Sequence, residues 1–166
     1  MDRTSRLSPL GPQRLRLLEC LGGNSPHAPG YFVPAADVDI FSAFRQYVEL
    51  LSEHWAAESD PHAVSLVAAA RLLTGDLSAA GVILDHLPAK ATKLDHGAGI
   101  CLVMPLFALS TALPLPGDLT DTRRWLAGSA EQTALRSWLT EHRDDLRWVE
   151  AAGEYRLAGA AGRQPR

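Results

Sequence analysis

Six histidines are the residues of this sequence whose chemistry first suggests a metal site. They are His27, His54, His62, His86, His96 and His142. A zinc site on a helix needs ligands about one or two turns apart, such as i and i+4, so that the ring nitrogens converge. No two of these histidines are four residues apart, so the spacing predicts no helical zinc site.

One repeated dipeptide keeps a metal-assisted reaction open. Asp85-His86 recurs as Asp95-His96, which would bring two imidazoles and a carboxylate to one ion across a polar connector. The alternative is a pair of histidines that face solvent near helix ends, and we favour it because such positions are common for histidine. We therefore predict no metal ligand and no cofactor.

The sequence lacks the patterns of the commonest catalytic sites. It contains no Gly-x-Ser-x-Gly nucleophile elbow and no phosphate loop with a Walker lysine. Paired carboxylates occur at Asp37/Asp39 and at Asp144/Asp145, but each pair lies at the end of a predicted helix, where capping and solvation account for it. We predict no catalytic residue.

The four tryptophans divide into two classes. Trp55 and Trp138 lie on apolar faces of predicted helices, which indicates core packing. Trp125 falls in a short helix, and Trp148 lies with Tyr155 in a predicted hairpin at the edge of the fold. Tryptophan and tyrosine are enriched in binding hot spots, so we predict a partner-binding surface at Trp125, Trp148 and Tyr155.

The elements that would position these side chains are mainly helices. Apolar residues recur with helical spacing over 13–21, 39–57, 61–73 and 77–87, and a continuous apolar run over 100–113 suits a buried helix. Ser129 and Gln132 have the spacing of a capping box, which predicts that the last long helix begins there. Only Thr74-Gly75-Asp76 separates 61–73 from 77–87, and so short a connection forces an antiparallel αα-hairpin over about 61–87. The sequence predicts a mainly α fold, a compact multi-helix bundle.

The C-terminal region changes to a period of two. Residues 146–150 and 154–157 alternate apolar and polar side chains on either side of a turn that contains Gly153. This pattern predicts a short β-hairpin over about 146–157, packed on the helices.

An uncharged segment over 97–117 has two interpretations. Its length is just sufficient for a transmembrane helix. However, Pro105 lies in its middle, Pro114 and Pro116 lie near its end, and no aromatic or basic girdle flanks it. We therefore favour a core helix broken by proline over a membrane span.

Composition sets the domain organisation. The chain has 166 residues, of which 46% are hydrophobic and 21% charged, and its formal net charge is −3. These values predict one globular domain over 12–158, a flexible lead-in over 1–11 and a frayed tail over 159–166. The charge offers no general attraction to nucleic acid. The start of the sequence lacks the apolar run of a signal peptide, which predicts a cytoplasmic protein.

The segment from His62 to Pro88 resembles a single tetratricopeptide-type unit. The matching residues are Ala68, Gly75-Asp76 at the turn, Ala80, and Leu84 with Leu87 before the proline. The resemblance implies an antiparallel helix pair. It covers 27 of 166 residues and has no second copy at the repeat period, so it does not imply peptide binding.

Two functional hypotheses remain from the sequence. The first is a non-enzymatic protein-interaction module, such as an adaptor, an immunity-type antitoxin or an accessory subunit, which binds another protein through a helical surface. The alternative is an enzyme without a recognisable motif, which would use His86, His96 and a nearby carboxylate with a metal. A helix-turn-helix regulator is disfavoured, because Leu77 to Leu87 contains no Arg, Lys, Asn or Gln to contact DNA.

Overall fold

The computed structural model describes residues 61–90 and 98–159, together with positions 42, 45, 46, 48, 49, 52 and 53. These seven positions are helical, as predicted for 39–57, and are called the 42–53 segment below. The remaining elements are α1 (Pro61–Leu72), α2 (Ser78–Asp85), α3 (Ala98–Ala112), 3-10 turns at Gly117–Leu119 and Thr122–Arg124, α4 (Ala130–His142), β1 (Leu146–Val149) and β2 (Glu154–Leu157). The predictions for 1–11, 13–21 and 160–166, and those for Asp37, Asp39, Trp55, Asp95 and His96, lie outside the described residues.

The mainly α fold with a C-terminal β-hairpin is confirmed, and α1 is its central helix. Every residue from Ser65 to Ala70 is buried, whichever side of the helix it occupies. The helical spacing over 61–73 indicates one apolar face, so burial on every side differs from that prediction. A helix that is apolar all round needs cover on all sides, and α2 and α3 both pack against α1. Small side chains at Ala68, Ala69 and Ala70 let these neighbours approach closely.

The αα-hairpin is confirmed, and its turn is closed by a Schellman motif. Gly75 adopts a left-handed φ of 93°. Its N–H donates to the Leu72 carbonyl at 3.2 Å, and the Asp76 N–H donates to the Arg71 carbonyl at 3.1 Å. One Asp76 carboxylate oxygen then accepts the Ser78 N–H at 3.0 Å, which caps the start of α2.

Helix α3 continues through Pro105, so this proline does not break it. Proline lacks an N–H and removes one hydrogen bond from the helix, but the helix extends to Ala112 and its inner side chains are buried among α1 and its neighbours. It ends before Leu113-Pro114, where proline restricts the preceding residue to extended backbone. Within the described part of the chain, no helix combines the length and apolar character needed to cross a bilayer.

Helix α4 is joined to α2 mainly through Gln132. The Ser129 side chain accepts the Gln132 N–H at 3.1 Å, which confirms the predicted capping position. The Gln132 amide accepts the Gly128 N–H at 2.7 Å and donates to the Leu84 carbonyl of α2 at 2.6 Å. A carboxylate at this position would have no hydrogen to donate to Leu84, so the link requires an amide.

The hairpin of β1 and β2 packs on the helices through one face. Leu146 pairs with Leu157, and Trp148 pairs with Tyr155. Leu146 and Tyr155 are buried, whereas Arg147 and Arg156 point to solvent on the other face. Two strands are only marginally stable alone, so this packing holds the hairpin in place.

The polar face predicted for 39–57 is exposed. Arg45, Gln46, Glu49 and Glu53 are on the surface, and Val48, on the predicted inner face, has 2% of its area exposed. This arrangement confirms an amphipathic helix in the 42–53 segment.

We expect Gly75→Ala to destabilise the fold by about 2 kcal/mol or more, because two costs combine. A side chain at φ 93° is strained, and a Cβ at this position would lie 2.9 Å from Cδ1 of Trp148. Urea unfolding of the full chain measures the loss.

Gly128→Ala is the matched control, because Gly128 has φ 77° but a Cβ added to it would have no heavy atom within 4 Å. It should cost about 1 kcal/mol, the conformational part alone. Gly75→Ala should cost less stability in a Trp148→Ala background than in the wild type, because the clash with the indole ring is then absent. Equal losses of unfolding free energy for the two glycine variants would show that the clash with Trp148 contributes nothing to the cost.

Candidate partner-binding surface

The three aromatic residues predicted to bind a partner occupy different environments. Trp125 has none of its area exposed, and its indole N–H donates to the Leu119 carbonyl at 3.1 Å. It follows the second 3-10 turn, which Asp121 caps through the Arg123 N–H. In this conformation Trp125 belongs to the hydrophobic core and presents no surface.

Trp148 is half-buried and joins three parts of the fold. Its ring lies against Gly75 at the αα turn. Its indole N–H donates to a Glu150 carboxylate oxygen at 2.6 Å, and the same oxygen accepts a hydrogen bond from Arg45 at 2.9 Å. The hairpin therefore covers the turn and is tied to the 42–53 segment.

Tyr155 packs beside Trp148 and is almost fully buried. The ring centroids are 5.0 Å apart at an angle of 57°. The Tyr155 hydroxyl is buried and has no hydrogen-bond partner in the described part of the chain. Burial raises the pKa of this hydroxyl, and the negative charge of Asp76 raises it further. Partner binding by these aromatics stays a prediction, since neither groove described below is lined by any of them.

A first groove, the turn groove, lies between the 42–53 segment and the αα turn. It has a volume of about 440 Å³ and is lined by Arg45, Val48, Glu49, Ser52, Glu53, Arg71, Thr74, Gly75 and Asp76. Arg45 is paired with Glu150, and Arg71 is paired with Asp76. Both arginines of the turn groove thus already have carboxylate partners.

A second groove, the α2–α4 groove, separates two antiparallel helices at one end. Gln132 and Arg136 of α4 bind Leu84 and Asp85 of α2. At the other end the helices leave a space of about 320 Å³. That space is lined by Leu77, Ser78, Gly81, Leu139, Thr140 and Arg143.

Gly81 lines the α2–α4 groove, and its position is called the floor of the groove below. No steric conflict among the described residues requires a glycine there. Gly81 lies inside α2, and a Cβ built there would have no heavy atom of the described residues within 4 Å. Glycine inside a helix costs about 1 kcal/mol relative to alanine. Alanine would fit among the described residues, so their packing does not explain the stability cost of a glycine at this position. A glycine inside a helical pattern was visible in the sequence, but its exposure to a groove was not.

The described histidines do not converge on a metal site. The Nδ1 atom of His86 is 2.8 Å from the Val82 carbonyl, and that of His142 is 2.9 Å from the Trp138 carbonyl. The His142 ring stacks on Trp138 with centroids 4.8 Å apart. In the described part of the chain, no three His, Cys, Asp or Glu residues are grouped as metal ligands.

No protein-family model matches this sequence, and comparison with curated proteins and with solved structures finds no significant match.

We expect Tyr155→Phe to leave stability unchanged or raise it by about 1 kcal/mol, because it removes a buried hydroxyl that has no hydrogen bond. The ring, and with it the contact to Trp148, remains. Urea unfolding measures the change, and Tyr155→Ala, which also removes the ring, should be strongly destabilising. A loss above about 1 kcal/mol in the phenylalanine variant would mean that the hydroxyl makes a stabilising bond.

Asp76 should make stability depend on pH in the acid range. Burial opposes its ionisation, but hydrogen bonds from Ser78 and the positive charge of Arg71 outweigh burial and lower the pKa of Asp76. The ionised form is thus favoured by folding. Its contribution is present above the unfolded pKa of about 3.9 and is lost as the pH falls through the lower folded pKa.

The gap in unfolding free energy between the wild type and Asp76→Asn should therefore be larger at pH 7 than at pH 2.5. We expect it to be no more than about 1 kcal/mol, because the pair with Arg71 is partly exposed. Asp118→Asn is the control, since Asp118 is exposed and has no ion pair among the described residues. A pH-independent gap for Asp76→Asn would contradict the assignment.

Proposed function

We propose that this chain is a cytoplasmic protein-interaction module, of the adaptor, immunity or accessory-subunit kind, that binds another protein through the α2–α4 groove. The observation that supports it is the open glycine floor at Gly81, between apolar walls from Leu77 and Leu139. A helix that leaves such a space at a cost in stability is suited to receive a side chain from outside.

The distribution of charge supports a protein partner over nucleic acid. Six of the eight arginines in the described part of the chain are held in ion pairs with carboxylates, so their charge is locally balanced. Nucleic-acid binding needs basic side chains that are free to neutralise several phosphates along one face. The formal net charge of −3 agrees with this argument.

Site-specific photocrosslinking in the source cell tests the proposal. A photoreactive residue in place of Thr140, which lines the groove, should give a discrete protein adduct. The matched control is Thr133, which is also exposed on α4 but does not line the groove.

A second variant shows whether the groove itself is occupied. Gly81→Leu fills the floor with a better helix former, so the fold should remain intact while the Thr140 adduct is lost. The smaller Gly81→Ala should retain it. Absence of an adduct, equal adducts from both threonine positions, or an adduct that survives Gly81→Leu would refute binding at this groove.

A further inference from the structure

Arg143 is the unengaged arginine of the described part of the chain. Six others form ion pairs, and Arg147 donates to the backbone carbonyls of Asp144 and Leu146. The Arg143 guanidinium has neither an ion pair nor a hydrogen bond to any described residue, and the side chain is exposed. Arg143 directly follows α4, one turn beyond Leu139, and lines the α2–α4 groove.

The walls of the groove include two leucines, and the charge among its described lining residues is positive. Leu77 and Leu139 are half-buried and continuous with the hydrophobic core, so their free surfaces favour contact with an apolar group. Among the described residues that line the groove, Arg143 is the one that carries a charge. A guanidinium binds carboxylates and phosphates with two parallel hydrogen bonds, and of these two groups the carboxylate is the one that an unmodified peptide carries.

The dipoles of the two helices also influence how strongly an anion binds at this end of the groove. Because α2 and α4 are antiparallel, the N-terminus of α2 and the C-terminus of α4 lie at the same end of the groove, and their dipoles oppose each other. Asp76 already accepts the Ser78 N–H at the start of α2. The guanidinium of Arg143 is therefore the group that decides which charge is bound.

We infer that the α2–α4 groove binds a peptide segment of the partner in which an apolar side chain is followed by a carboxylate. The apolar side chain occupies the space above Gly81, between Leu77 and Leu139, and the carboxylate pairs with Arg143. This inference rests on the proposed function, since it names the chemistry of the partner at the same groove.

Short peptides test this chemistry apart from the native partner. The probe is acetyl-Ala-Leu-Glu-Ala-amide, titrated at millimolar concentration into the nitrogen-15-labelled full chain. We expect amide shifts at Ser78, Gly81 and Thr140, and a shift of the Arg143 Nε–H. The glutamine analogue should bind about threefold more weakly, which corresponds to one exposed ion pair.

Two variants separate the charge from the pocket. Arg143→Gln should bind the two peptides equally and should remove the salt dependence of the glutamate peptide. Gly81→Leu should abolish the shifts from both peptides, and Gly81→Ala controls for substitution of the glycine itself. An analogue with serine in place of leucine should not bind, because it lacks the apolar anchor.

The outcomes distinguish the inference from the proposed function. Shifts outside the groove, no shifts at all, or equal binding of the glutamate and glutamine peptides would overturn the inference. If the Thr140 crosslink is then still obtained, the groove binds a partner of other chemistry. If the crosslink fails while the peptides bind as expected, the groove prefers a carboxylate but the proposed interaction with a protein in the cell is refuted.

Discussion

The burial of α1 on every side is the constraint on which the other elements depend. A helix with buried residues at six consecutive positions, from Ser65 to Ala70, has no face to leave in water. It needs neighbours around its whole circumference, and the alanines in its second half let them pack at short distance. The αα turn returns the chain at once to supply α2, and α3 then covers another side.

This arrangement explains why a groove remains between α2 and α4. Helix α2 buries Ala79, Ala80, Ile83 and Leu84, so its inner face packs in the core. Helix α4 has a single fully buried residue, Leu135, so polar contacts near its N-terminal half fix its position. Those contacts reach only the C-terminal half of α2. Among the described residues, no such polar contact joins the two helices beside Gly81, where α2 has no side chain.

The features that the sequence predicted well depend on neighbouring residues. Gly75 ends α1, Ser129 caps α4, and the alternation after Leu146 forms two paired strands. Each reflects backbone geometry within a few positions, which residue type largely determines.

The features that it predicted poorly depend on which faces meet in space. The all-round burial of α1 and the complete burial of Trp125 arise from neighbours distant in sequence. The bond from Gln132 to Leu84 spans 48 residues, and no local pattern encodes it. The same holds for the candidate site. Gly81 could be recognised as a glycine in a helix, but the unpaired guanidinium of Arg143 is apparent only from the positions of the other described charges.

The hairpin of β1 and β2 has a consequence for how the protein is made. Trp148 covers the αα turn, and Glu150 binds Arg45 across 105 residues of chain. A polypeptide leaves the ribosome from its N-terminus, so the helices emerge while the hairpin that covers their turn is still inside the exit tunnel. Closing so long a loop also slows folding. The nascent chain therefore holds a partly uncovered core until residue 157 has emerged.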